Sequence, residues 1–304
     1  MGIKIIKVLM AVIAFLCIAV LTGLIVTGAV IGWGPFAFIK YNKKPICLAE
    51  EKQKYTAEDI WLKNGKKNIF GTLYKAGSGN KNQPIAILSH GYNGNSVYNK
   101  FIAESLASSG ISVYAFDFCG GGTKSKSDGE TNDMSVITET GDLNAVIEQV
   151  KNWDWVDKEN IFLIGESQGG CVSALVAAKR DDINSLVLYY PAFCIVEDAN
   201  KKFRCADDIP NRSRAFMGMA IGKKYYEDIL GMDIYGEIAG FKNPVLIMHG
   251  TADNVVDYSY SEKANRVYEN SELVAFEKAG HGFNSEDSEK AVKYAYDFIS
   301  ENIK

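Results

Sequence analysis

Ser167 stands at the centre of Gly165-Glu166-Ser167-Gln168-Gly169, between the apolar run Ile161–Ile164 and a stretch of small, helix-compatible residues. A serine hydroxyl can be held out at the end of a sheet when the chain turns sharply from strand to helix. Glycines two residues either side remove side chains that would collide with that turn. The hydroxyl still needs a base within hydrogen-bond reach and a third group to orient the base. The chain has three histidines, His90, His249 and His281. Nucleophile-elbow sites run in chain order serine, acid, histidine, and His281, in Gly280-His281-Gly282-Phe283, is the histidine that follows a suitable acid. That acid is Asp253, since Pro244–Met248 reads as a buried strand and His249-Gly250-Thr251-Ala252-Asp253 as the loop leaving its C-terminal end, where sites assemble in open α/β sheets.

His90 and His249 each precede a glycine at the end of an apolar strand and suit a structural role, an imidazole bridging loop backbone groups. The loop His90-Gly91-Tyr92-Asn93-Gly94 has a further use. Acyl transfer develops negative charge on a carbonyl oxygen, and backbone N–H donors are expected from this early loop and from the residue after the nucleophile. Those donors are the amides of Tyr92 and Gln168.

With these residues placed, the chain resembles the α/β-hydrolases, and among them the bacterial cinnamoyl/feruloyl esterases and related serine esterases. The closer resemblance is carried by His90-Gly91-Tyr92, Asp117-Phe118-Cys119-Gly120-Gly121-Gly122, Ser125–Gly129, Asp133-Met134-Ser135-Val136, the elbow, and His249–Asp253. It extends from about Pro84 to the C-terminus. The resemblance implies a serine esterase acting on small-molecule esters, without cofactor or metal. It also implies that an aspartate and a tyrosine from a cap hold the substrate's phenolic hydroxyl. Asp198 and either Tyr225 or Tyr226 match those positions.

The chain departs from the soluble members of that family at its N-terminus. No residue between Lys7 and Lys40 is charged, and Val8–Trp33 exceeds the ~20 apolar residues that cross a bilayer. The run is longer than the roughly 7–15 residues of a signal-peptide core, so residues 1–42 are expected to be an uncleaved membrane anchor, with a cleaved signal sequence and secretion as the alternative. The catalytic domain is placed outside the cytoplasm, although lysines flank the run on both sides and leave its orientation open.

The 304 residues, 47% hydrophobic, suffice for one large α/β domain over 43–304, and a net charge of −4 provides no basic footprint for nucleic acid. Six cysteines are too few for a disulfide framework. Cys119 and Cys171 read as core residues, and Cys194 and Cys205 could bridge in an oxidising space. Oligomeric state is not legible.

Asn64-Gly65 between Tyr55–Leu62 and Asn68–Tyr74 signals a hairpin. Strands and helices then alternate, with Leu143, Val146, Ile147 and Val150 marking an amphipathic helix. The expected fold is therefore a mostly parallel sheet with helices on both faces and right-handed crossovers. The interval 191–241 is longer than one crossover helix needs and reads as a cap insertion. Its Phe193, Phe203, Phe216, Met217, Met219, Tyr225, Tyr226, Met232 and Tyr235 suit an apolar or aromatic acyl pocket. Aminopeptidases and monoacylglycerol lipases share the same triad, and Glu197, Asp198, Asp207 and Asp208 could bind a peptide amine. A non-catalytic anchored binding protein on the same scaffold is the reading from another class.

Overall fold

The structure, a computed structural model, describes residues 44–51, 53–77, 81–214 and 218–304. The expected anchor and the cap residues Phe216 and Met217 lie outside these. Among the described residues, no helix is long and apolar enough to cross a membrane.

The chain opens with β1 (Tyr55–Asn64) and β2 (Lys67–Ala76), paired antiparallel from Tyr55↔Ala76 to Asn64↔Lys67. Because Asn64 is itself the last paired residue, Gly65 and Lys66 form the turn, one position beyond the expected Asn64-Gly65. Strands and helices then alternate through β3 (Gln83–Ser89), α1 (Lys100–Ala107), β4 (Ser112–Phe116), α2 (Val136–Val150), β5 (Val156–Glu166), α3 (Gln168–Ala177) and β6 (Ser185–Tyr189). An insertion follows, with α4 (Cys194–Lys202), the short hairpin β7 (Arg212–Arg214) and β8 (Ala220–Gly222), α5 (Lys224–Glu227) and α6 (Ile234–Ile238). The chain closes with β9 (Val245–Gly250), α7 (Ser259–Val267), β10 (Ser271–Phe276) and α8 (Ser285–Glu301).

Eight strands form one sheet in the order β1-β2-β4-β3-β5-β6-β9-β10. Its β1–β2 and β2–β4 pairs are antiparallel and the rest are parallel. The parallel strands carry near-continuous apolar runs because both faces are covered. On one face α1 and α8 pack over Leu88, Val113, Phe162 and Val187. On the other, α2 and α3 pack over Ile85, Ile87, Leu163 and Leu186. Ser135 starts α2 with a capping box, its hydroxyl accepting from Thr138 N while the Thr138 hydroxyl binds the Ser135 amide. Leu143, Val146, Ile147 and Val150 then turn into the core as their spacing dictates. Helix α3 is buried all round, which its small residues allow.

The insertion does two things where a single pocket was expected. Phe193, Ile234, Tyr235 and Phe241 join the core over α2 and α3, so they found the insertion on the main domain. Met219, Ile221 and Tyr225 instead cluster with Met134, and Tyr92, Ile195 and Tyr226 pack against them. Thr131 Oγ1 donates to Ala220 O (2.6 Å) and Ser135 Oγ to Asp228 Oδ2 (2.5 Å), fixing the insertion to the start of α2. Cys194 is buried and Cys205 exposed, both free thiols, so the possible bridge between them is not formed.

Backbone packs closely where α3 follows β5. A Cβ on Gly169 would collide with the carbonyl oxygen of His90 and would lie 2.6 Å from that of Ser89. Gly169→Ala is therefore expected to cost about 1–3 kcal/mol, because backbone on both sides resists movement. A thermal melt within a degree of the parent would contradict this.

Candidate active site

Ser167 adopts φ 52°, ψ −117°, a conformation that L-residues rarely take and that is retained where the surroundings enforce it. The enforcement is visible: Ser167 N donates to Tyr189 O (2.9 Å), and Ser167 O accepts from Gly170 N (3.0 Å) and Ala192 N (2.9 Å). The side chain thus projects beyond the C-terminal ends of the parallel strands. There it meets His281, carried by the loop after β10, whose Nε2 lies 3.0 Å from Ser167 Oγ. The opposite ring nitrogen, Nδ1, lies 2.7 Å from Oδ2 of Asp253, on the loop after β9. A carboxylate accepts only, so His281 Nδ1 donates and Nε2 is left to accept from the serine hydroxyl.

Asp253 is buried, which alone would raise its carboxyl pKa. Hydrogen bonds from His249 and His281, the His281 charge and the Val256 amide outweigh burial and hold it well below the usual carboxylate range. Its Oδ1 accepts from Val255 N (2.8 Å) and Val256 N (2.9 Å). The acid is thereby kept ionised and aimed.

The loop carrying Tyr92 comes close enough that a Cβ on Gly91 would sit 3.1 Å from Ser167 Cβ. Asn93 holds this loop from behind, its Oδ1 accepting from Thr123 N (2.8 Å) and Thr123 Oγ1 (3.0 Å). Gln168 is the first residue of α3, so its N–H has no acceptor within the helix. The amides of Tyr92 and Gln168 thus belong to the two segments that meet at Ser167. His90 bridges backbone as expected: its Nε2 accepts from Phe118 N (3.0 Å) and its Nδ1 binds Gly91 O (2.7 Å), while burial lowers its pKa.

The cap residues do not come together as anticipated. Tyr225 is buried and donates its hydroxyl to Gln168 Oε1 (2.6 Å), so that hydroxyl is committed to the elbow rather than to a substrate. The Tyr226 hydroxyl accepts from Lys202 Nζ (3.3 Å), and Asp198 is exposed on α4. The acids considered for an amine are no better placed. Glu197 pairs with Lys201 (2.7 Å) on an exposed face, and Asp207 and Asp208 are exposed, Asp208 accepting from Arg204 N (3.2 Å).

Residues outside the expected set also shape the site. Gln168 Nε2 donates to Glu139 Oε2 (2.7 Å), and burial raises the Glu139 pKa well above the ordinary glutamate value, partly opposed by that hydrogen bond and reinforced by Asp142. Glu139 lies four residues before Leu143, on the apolar stripe of α2, and a carboxylate on such a stripe is a signal the sequence did offer. Tyr190, at φ 38°, sets its ring 4.6 Å from that of His281, tilted by 58°, and donates to Glu166 Oε1 (2.6 Å). Nothing in its local pattern marks it. Among the described residues, no cluster of three or more His, Cys, Asp or Glu could hold a metal ion.

Residues 80–223 match the family described as serine aminopeptidase, S33, and residues 235–299 the family described as TAP-like protein. A structure of Est1E from Butyrivibrio proteoclasticus with ferulic acid bound is 25% identical, with a TM-score of 0.73, covering 80% of this chain and 98% of that one. The esterase EaEST from Exiguobacterium antarcticum shares the fold at 18% identity and a TM-score of 0.61, over 80% of this chain and 100% of that one. In sequence, the AB hydrolase superfamily protein YisY of Bacillus subtilis is 25% identical over 246 residues, 68% of this chain and 88% of YisY. The chain belongs to the α/β-hydrolase superfamily. Within it, the protein is a hydrolase of the esterase type.

The Glu139 carboxyl binds its proton more tightly in the folded chain than in the unfolded one, so stability falls as pH rises from the ordinary glutamate value toward the raised one. Glu139→Gln keeps an acceptor for Gln168 and cannot ionise. Its melting temperature should gain on the parent progressively as pH rises above the ordinary glutamate value. A gap that stays constant through that rise would show that Glu139 titrates alike in both states.

Proposed function

We propose that the protein hydrolyses small carboxylic esters through an acyl-enzyme on Ser167. The observation that carries this reading is the hydrogen-bonded chain from Ser167 Oγ through both His281 ring nitrogens to Asp253. Ser167 attacks the ester carbonyl while His281 Nε2 takes its proton and returns it to the departing alcohol. Asp253 holds the imidazole in the required tautomer and stabilises its charged form. The amides of Tyr92 and Gln168 bind the oxyanion. Water then repeats the sequence on the acyl-enzyme and releases the acid.

The acyl group would lie beside Tyr92 and Tyr226, the half-buried rim of the apolar cluster around the buried Met134 and Met219, which favours short or aromatic acyl chains. The bound ferulic acid of Est1E accords with that preference. Peptide cleavage at a free N-terminus is disfavoured, because the acids considered for the amine are exposed or already paired.

A panel of p-nitrophenyl esters of increasing chain length, methyl ferulate, a monoacylglycerol and a prolyl anilide tests the assignment. Short acyl esters or methyl ferulate should be preferred, and Ser167→Ala should remove turnover by roughly 10⁴- to 10⁶-fold with the melting temperature kept. Turnover that survives in Ser167→Ala overturns the triad. Preference for the anilide or the glyceride overturns the substrate.

The uncharged run Val8–Trp33 supports attachment of this domain to a membrane. The full chain should sediment with membranes through an alkaline wash and a chain beginning at Lys44 should not; a full chain recovered in the wash would argue for cleavage or secretion.

A further inference from the structure

His249 is buried beside Asp253, and its interactions go beyond the backbone bridge expected of it. Its Nε2 lies 3.1 Å from Asp253 Oδ2 and 2.9 Å from Val256 O. Both neighbours only accept, so Nε2 carries a proton and shares it between them. Its Nδ1 lies 2.6 Å from the hydroxyl of Ser261, also buried, on α7. Oδ2 of Asp253 therefore receives two imidazole N–H groups, one from His281 and one from His249, while Oδ1 receives two backbone amides.

We infer that His249 is a positioning residue for the triad, a second histidine that fixes Asp253 Oδ2 toward His281 and tempers the basicity of that carboxylate. The inference rests on the reading of Ser167, His281 and Asp253 as the catalytic triad. The arrangement has a clear division of labour. The two amides hold Oδ1, and the His249 donor gives Oδ2 a second bond beside that of His281. A donor shared with Oδ2 also spreads charge that would otherwise fall wholly on the His281 bond. Ser261 holds the His249 ring so that Nε2 faces the acid.

Other ionisable groups around the acid are Asp257 and Tyr258 before α7, Tyr190 and its partner Glu166 from the strands behind, and Cys194 on α4. All of them are unchanged in the variants below, so a shift in the pH profile reports on position 249.

The test compares His249→Asn with His249→Gln. Glutamine can place its amide N–H where Nε2 stands and keep the bond to Asp253. Asparagine is one methylene shorter, reaches only the Nδ1 position, and loses that bond. Rates are normalised to sites titrated with a fluorophosphonate. Asparagine is expected to lower kcat roughly 10- to 100-fold, the range for a hydrogen bond to a charged group, with KM unchanged within about 2-fold. It should also move the acid limb of the kcat/KM profile to higher pH, because a less restrained, more basic carboxylate holds the imidazolium more firmly. Glutamine should restore both.

A kcat and acid limb equal to the parent in the asparagine variant, or an equal loss in both variants, overturns the proposal. If the asparagine variant does not fold, Ser261→Ala, which frees the His249 ring to turn, carries the same comparison against glutamine. Failure of the triad reading would show separately, as a parent protein without Ser167-dependent turnover or labelling.

Discussion

The site depends on a backbone conformation that serine does not favour. At φ 52° the chain leaves β5 and enters α3 without room for a side chain at position 169, and the His90–Tyr92 loop closes against the turn at Gly91. That single crowded crossing sets the reach of the Ser167 hydroxyl and brings together the segments that carry Tyr92 and Gln168. The strain there, of order 1–3 kcal/mol, is overcome by hydrogen bonds from the neighbouring loop and strand and by burial of α3 on every side.

Parallel pairing does the remaining alignment. Because β3 and β5 pair with Ser89 opposite Gly165, and β9 and β10 with Gly250 opposite Phe276, the loops after these strands begin at one edge. Three residues spread over more than a hundred positions of sequence are thus delivered to within hydrogen-bond distance of one another. Each is steadied by other residues: Ser167 by the Tyr189 and Ala192 backbone, His281 by the neighbouring ring of Tyr190, and Asp253 by amides and His249. The order serine, acid, histidine was legible because it sets specific residue types at strand ends, and the alternation of elements was legible because both periodicities are strong.

What escaped the sequence is informative about why. Glu139 hid inside an amphipathic pattern that otherwise explained its helix completely, and its partner Gln168 looked like an oxyanion residue whose side chain did not matter. Tyr225 carried the right composition for a substrate contact, yet its hydroxyl is spoken for by Gln168. Position within the insertion could not reveal this, since the irregular chain between β6 and β9 has no period to fix which face turns inward. His249 was recognised as structural from its place before a glycine, but its bond to the acid required the loop to fold back through Val256.

The link from Tyr225 through Gln168 to Glu139 has a consequence for how such a protein can diversify. Side chains elsewhere in the insertion, such as Asp198 on its exposed surface or Tyr226 at its half-buried edge, have no such bond to the elbow. Position 225 is different, because Gln168, the residue that follows Ser167, is held between it and Glu139 of α2. A change at Tyr225 is therefore felt at the turn after β5, whereas a change on the exposed face of the insertion is felt only at the surface.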